Sequence, residues 1–237
     1  MIISHKFKFV FIRPMKVGGT STEIKMLKLL RAVGDESEIV SGPSHFNVAQ
    51  VMKKYGKKVV DYRFYSVCRN PWDRAVSMFY HRNRAVAELP MHEQEGRFRE
   101  WITSGAFLFD ERGSIFDTIG SPFWRGMPIV DHVIRYERLD EGLRKMSRQL
   151  GLPKKIDITD IRQRSGDRPD AARAFEPLFD KASWDVISIA AAQDRAAFGY
   201  SKTRPAGNGD VMIHFDSKLI RQNIVGEQLI VQALGKG

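Results

Sequence analysis

The residues best suited to chemistry lie early in the chain, in the run Pro14-Met15-Lys16-Val17-Gly18-Gly19-Thr20-Ser21-Thr22. Two glycines let backbone N–H groups approach an anion closely, and Lys16 and the hydroxyls add donors. The chemistry on offer is the binding of phosphate or sulfate. A Walker A loop places its lysine after the last glycine, as G-K-[ST]. Here Lys16 comes before the glycine pair, so the loop is of another kind. A second group is Arg69 and Ser77, in the run Arg69-Asn70-Pro71-Trp72-Asp73-Arg74-Ala75-Val76-Ser77. Taken alone, Arg69 reads as half of a surface ion pair and Ser77 as a solvent-facing helical serine. The single cysteine, Cys68, sits in an apolar run and reads as a small core residue rather than a nucleophile.

These side chains need elements to position them. Phe7, Phe9, Val10, Phe11 and Ile12 form a β-prone apolar run, suited to a strand buried on both faces. Thr20 and Glu23 stand in a capping-box relation, and Ile24, Leu27 and Leu30 then fall on one helical face. A helix N-terminus behind a glycine loop behind a strand is a ready anion site. The pattern repeats further on. Arg63–Cys68 reads as a buried strand, Asn70 as an N-cap, Pro71 as the first helical residue and Asp73 as a first-turn acid. Trp72, Ala75, Val76, Phe79 and Tyr80 make one apolar face, with Ser77 off it. Arg69 falls at the C-terminal end of its strand, where α/β sheets bind ligands.

The spacing also predicts short helices over 48–55 and 98–106, a helix over 139–150 closed by Gly151, and a helix over 183–197. Segments 85–96 and 157–173 read as polar loops. Phe107, Phe109, Phe123 and Trp124 lie in an irregular aromatic stretch suited either to acceptor recognition or to the core. After a linker over 201–210, a strand over 211–215 and a helix over 219–234 are expected.

The loop Pro14-x-Lys16-x-Gly18-Gly19-Thr20-Ser21 resembles the 5′-phosphosulfate loop of sulfotransferases that use 3′-phosphoadenosine 5′-phosphosulfate (PAPS). R-N-P-x-x-R-x-x-S from Arg69 to Ser77 resembles the 3′-phosphate site of the same family. Arg135-Tyr136-Glu137 is similar to its late R-[YF]-E segment. Asp194-x-x-x-Phe198-Gly199-Tyr200 resembles the ending of the carbohydrate, Golgi-type branch. The resemblance spans roughly residues 6–200 and implies a sulfotransferase domain there, with 201–237 as a C-terminal extension. It implies a three-layer, P-loop-like α/β fold with a mainly parallel sheet. It assigns Lys16, Val17, Gly18, Gly19, Thr20 and Ser21 to the 5′-phosphosulfate, and Arg69 and Ser77 to the 3′-phosphate. PAPS would be the sulfuryl donor and 3′-phosphoadenosine 5′-phosphate (PAP) the product, with no metal. The acceptor would be a hydroxyl of a glycan or glycolipid.

Lys16 would be catalytic, meeting charge that grows on the bridging oxygen. The general base is assigned to His45, in a Gly/Pro loop where carbohydrate-type relatives often place a His or Glu. Glu23, His81, His132 and Glu137 are the alternatives. Glu23 reads as a helix cap and Glu137 as a ligand of loop backbone. Arg162, Arg164 and Arg168 are basic residues of a loop that in the family often closes over the cofactor, although Arg162-Gln163-Arg164-Ser165 departs from its Asn-x-Ser pattern.

The chain has 237 residues, 43% hydrophobic and 28% charged, and suits one α/β domain with an elaboration. A net charge of +10 favours anionic ligands without choosing among them. No stretch approaches the roughly 20 apolar residues of a membrane span. The expectation is a cytoplasmic bacterial protein with no membrane span. Two rival functions carry their own demands. A small-molecule or nucleotide kinase needs Gly-Lys-[Ser/Thr] and a strand-end Asp for Mg²⁺, for which Asp131 is a weak match. A nucleic-acid-binding module needs clustered basic or stacking residues, and here the basic residues are spread along the chain.

Overall fold

The computed structural model describes residues 1–35, 38–39, 48–108, 123–124, 127–158, 168–169, 174–203 and 209–234. The chain opens with strand β1 (Ile2–Ser4), a turn, and β2 (Phe9–Phe11). Helix α1 (Gly19–Ala32), the two-residue β3 (Glu38–Ile39) and helix α2 (Val48–Val59) follow. Strand β4 (Arg63–Cys68) leads directly into α3 (Pro71–Arg82), and α4 (Met91–Thr103) comes next. A small ribbon, β5 (Phe123–Trp124) and β6 (Met127–Pro128), precedes β7 (His132–Arg135) and α5 (Leu139–Gln149). Helices α6 (Lys181–Ala190) and α7 (Ala192–Phe198), strand β8 (Met212–His214) and α8 (Lys218–Leu234) complete it.

The main sheet has six strands in the order β3-β1-β2-β4-β7-β8. Its centre is parallel: β2 pairs with β4, and β4 with β7. Its edges are antiparallel, β1 against β2 and β3 on one side, β8 against β7 on the other. The expected parallel sheet therefore describes the three strands that carry the motifs, while a hairpin and a returning tail extend it.

Strand alternation sends side chains to opposite faces. Val10, Phe64 and Val133 join a core with α2, α3 and α4 on one side. Phe9, Phe11, Tyr65, Val67 and Ile134 join Met26, Leu30, Leu143 and Met146 of α1 and α5 on the other. The result is three layers, helices on both faces of a sheet. Each fully buried Phe, Ile or Met stabilises it by about 1.5–3 kcal/mol.

Several expectations need correction. Phe7 lies in a turn, and the strand at Ile2–Ser4 carries no distinct sequence signal apart from its apolar pair. In α1 the buried positions are Gly19, Ser21, Thr22, Met26 and Leu30, and Ile24 is exposed, because the helix presents its 22/26/30 row to the sheet. Segment 85–96 is not simply a loop: a 3₁₀ turn spans Arg84–Glu88, and α4 begins at Met91 behind Pro90. The helix over 183–197 breaks at Ala191 into two. By contrast α5 ends as expected, with Gly151 at φ 63 and Leu152 N–H returning to the Ser147 carbonyl. Phe107 is core, and Phe123 packs against it. Phe109 and most of that aromatic stretch lie outside the described residues.

The tail beyond residue 201 packs onto the sheet. Arg221 donates to Asp131 (2.9 Å), and Ser217 Oγ lies 2.8 Å from the Val130 carbonyl. Among the described residues no helix is long and apolar enough to cross a membrane.

Candidate functional site

The C-terminal ends of β2, β4 and β7 lie side by side in the parallel register, so the segments that leave them must meet. The loop after β2 turns into α1 through two left-handed residues, Lys16 (φ 61) and Gly18 (φ 72). Glycine takes this conformation without penalty; lysine does not. A Cβ on Gly18 would also meet the Tyr136 ring at 2.9 Å, and one on Gly19 would meet the stem of Arg13 at 2.2 Å. Both glycines are therefore required by close approach.

The expected capping box is absent. Helix α1 starts at Gly19 with Gly18 as its N-cap and no side-chain cap, so Thr20 lies inside the first turn. Glu23 instead pairs with Arg13 Nη1 at 2.7 Å, and Arg13 Nη1 also donates to Thr20 Oγ1 at 3.2 Å. A helix N-terminus with no side-chain cap and no acid in its first turn presents donors and the positive end of the dipole. The donor set of Gly19, Thr20 and Ser21, beside Lys16, fits an anionic group such as a phosphosulfate.

The second motif folds as its residues dictate. Asn70 Oδ1 caps α3 by accepting from the N–H groups of Trp72 and Asp73, and Pro71 follows at the first position. Trp72, Ala75, Val76, Phe79 and Tyr80 are all buried. Arg69 sits at the end of β4 and reaches back to the first loop, donating from Nη1 to the Lys16 carbonyl at 2.7 Å. Its Nε donates to Asp73 at 2.6 Å, and its guanidinium stacks on Tyr136 at 4.2 Å. Arg74 is buried and donates from Nε to the Met15 carbonyl at 3.0 Å. The two arginines of one motif thus clamp consecutive carbonyls of the other. Ser77 is half-buried, one turn beyond Asp73 on the same row of α3.

The remaining motifs complete this network. Glu137 accepts from the Asn70 N–H at 2.7 Å and from the Tyr200 hydroxyl at 2.9 Å, so it does hold loop backbone. Burial pushes its carboxyl above the ordinary value, although these hydrogen bonds act against the shift. Asp194, at the start of α7, pairs with Arg74 at 3.7 Å. Arg168 donates to Asp73 at 2.5 Å. Burial would raise the Asp73 carboxyl, but Arg69 and Arg168 outweigh it and hold it below its usual range. Cys68 lies 3.4 Å from the Tyr200 hydroxyl, and burial pushes its thiol up to about 12, which excludes a ready nucleophile.

Lys16, Val17, Gly18, Gly19, Thr20, Ser21 and Arg69 thus share one edge of the sheet, with Ser77 on the adjoining helix. His45 lies outside the described residues, as do Arg162 and Arg164. His132 belongs to the N-terminal end of β7, the opposite edge, where it contacts His214. Asp131 is on that edge too, bound by Arg221 and by the Phe64 N–H. Sequence reasoning overlooked Arg13, whose only signal is a charge between a buried strand and Pro14. It also passed over the role of Arg74, which was visible only as the second arginine of a motif.

No family model matches the chain, and no solved structure matches it. Among curated proteins it is similar to an uncharacterized protein of Archaeoglobus fulgidus, 28% identical over 109 residues. That match covers 46% of this chain and 84% of the archaeal protein.

Proposed function

We propose that the chain is a sulfotransferase, moving a sulfuryl group from PAPS to a hydroxyl of a carbohydrate or glycolipid acceptor. One observation carries the reading. Arg69 holds the Lys16 carbonyl at 2.7 Å, so the loop that resembles a phosphosulfate cradle adjoins the segment that resembles a 3′-phosphate site. One nucleotide with phosphates at both ends can span such neighbours. The P-loop-like character of the fold belongs to this proposal as well.

The donor supplies the sulfuryl group; the chain's residues position it and stabilise charge, as in phosphoryl transfer. The N–H groups of Gly18 to Ser21 cradle the 5′-phosphate. Lys16 meets the bridging oxygen, where charge grows as the S–O bond to the phosphate breaks and the bond to the acceptor oxygen forms. Arg69 and Ser77 recognise the 3′-phosphate. His45 takes the acceptor proton. Two of its rivals are otherwise engaged, Glu23 with Arg13 and Glu137 with Asn70 and Tyr200. A kinase reading is weakened because Asp131 is neutralised by Arg221 on the far edge.

The test is transfer of label from sulfur-labelled PAPS to a panel of sugar and glycolipid acceptors. Labelled product on at least one hydroxylated acceptor is expected, lost by about 10²–10⁴ in His45→Ala with PAP binding intact. Absence of PAP binding together with absence of transfer overturns the reading.

A further inference from the structure

Lys16 occupies a left-handed backbone conformation (φ 61) that is strained for a non-glycine residue. Something outside the loop must hold it there. Two arginines do so. Arg69 takes the Lys16 carbonyl, but the proposed function gives it a ligand of its own. Arg74 takes the Met15 carbonyl, and it is 6% exposed. Its charge is met by Asp194, itself 9% exposed, from a helix far along the chain.

As an ion pair this is poor. Arg74 Nη1 lies 3.7 Å from Asp194 Oδ2, a long contact for two buried charges, whose desolvation is costly. The charge-assisted bond to the Met15 carbonyl is shorter and better aligned with a purpose.

We infer that the buried Arg74–Asp194 pair is a positioning device, which fixes the Met15 carbonyl and thereby the left-handed Lys16, so that the loop stands in its anion-receiving form before a donor arrives. The pair touches no reacting atom. Its effect is preorganisation, the saving of loop ordering at the moment of binding and reaction. The inference rests on the reading of the loop as an anion cradle.

The experiment uses the full chain and two variants, Arg74→Lys and the double variant Arg74→Met/Asp194→Leu. The double variant removes both charges, so neither is left buried and unpaired. Amide hydrogen exchange over residues 15–21, PAP affinity by calorimetry, and turnover are measured on each. The expected result is a double variant that still folds cooperatively. Its loop amides exchange about tenfold faster or more, turnover falls about 10- to 100-fold, and PAP affinity falls less than turnover. Arg74→Lys, which keeps the charge against Asp194, recovers part of the loop protection. A double variant with wild-type exchange over 15–21 and wild-type turnover overturns the inference. Loosened loop amides in a protein whose wild type binds no PAP uphold the positioning role and sink the sulfotransferase reading instead.

Discussion

Both edges of the central sheet hold charged side chains and use them differently. At the N-terminal edge, Asp131 is closed by Arg221 and by the Phe64 N–H, and His132 meets His214 across the β7–β8 ladder. The contacts of Arg221 and His214 there tie the C-terminal tail to the sheet. At the C-terminal edge, Arg69 and Arg74 donate to the carbonyls of Lys16 and Met15, beside a helix start whose N-cap is a glycine. One edge neutralises charge to hold structure together; the other directs arginine donors at the loop that leads into α1. Clustered charge alone does not mark a site. Charge directed at loop backbone beside a helix N-terminus is what the proposed function rests on.

The comparison can be broken at several points. The largest effect is expected at the structural edge. Arg221→Met strands Asp131 and should lower unfolding stability by about 3–5 kcal/mol. Denaturant melts should show this loss, while PAP affinity in the folded protein stays within about twofold. At the other edge, Lys16→Ala should reduce turnover about 10²–10³-fold with a much smaller change in PAP binding, because the lysine meets charge that grows in the transition state. Arg69→Ala should weaken PAP binding first, by roughly 2 kcal/mol or more. It should also slow turnover, since it releases the Lys16 carbonyl. Equal binding losses in both variants, with turnover untouched, would contradict these roles.

A smaller effect follows from pH. Burial, with His214 and the cations of Arg63 and Lys145 adding to it and Asp131 opposing it, lowers His132 to about 4. The unfolded chain therefore binds more protons than the folded one between about 4 and 6.5. Stability from the neutral pair is complete above pH 6.5 and declines as pH falls towards 4. Melting temperature against pH should show this slope, and His132→Phe should flatten it.

Much of this was legible because the motifs carry their own local instructions. Asn70, Pro71 and Asp73 dictate where α3 starts, and the Trp72–Tyr80 row dictates the face it buries. Arg63–Cys68 and Phe9–Phe11 have the β-prone, unbroken character of central strands. What misled was competition. Thr20 and Glu23 have capping-box spacing, yet Glu23 found Arg13, a partner that exists only once β2 and α1 are packed. Ile24 completes a helical row as well as Met26 does, and only the angle of α1 on the sheet chooses between them. The Arg74–Asp194 contact joins residues from distant segments and has no local signature. Arg168 was visible as a basic loop residue, but its meeting with Asp73 was not.

The central claim is that the C-terminal edge receives a nucleotide with phosphates at both its 3′ and 5′ positions. Calorimetric titration of the full chain with PAP, with adenosine 5′-monophosphate and with Mg-ATP tests it most directly. The account predicts tight binding of PAP without metal, binding of the monophosphate weaker by at least about tenfold, and loss of the difference in Arg69→Ala. Preference for Mg-ATP, or equal affinity for PAP and the monophosphate, would contradict it.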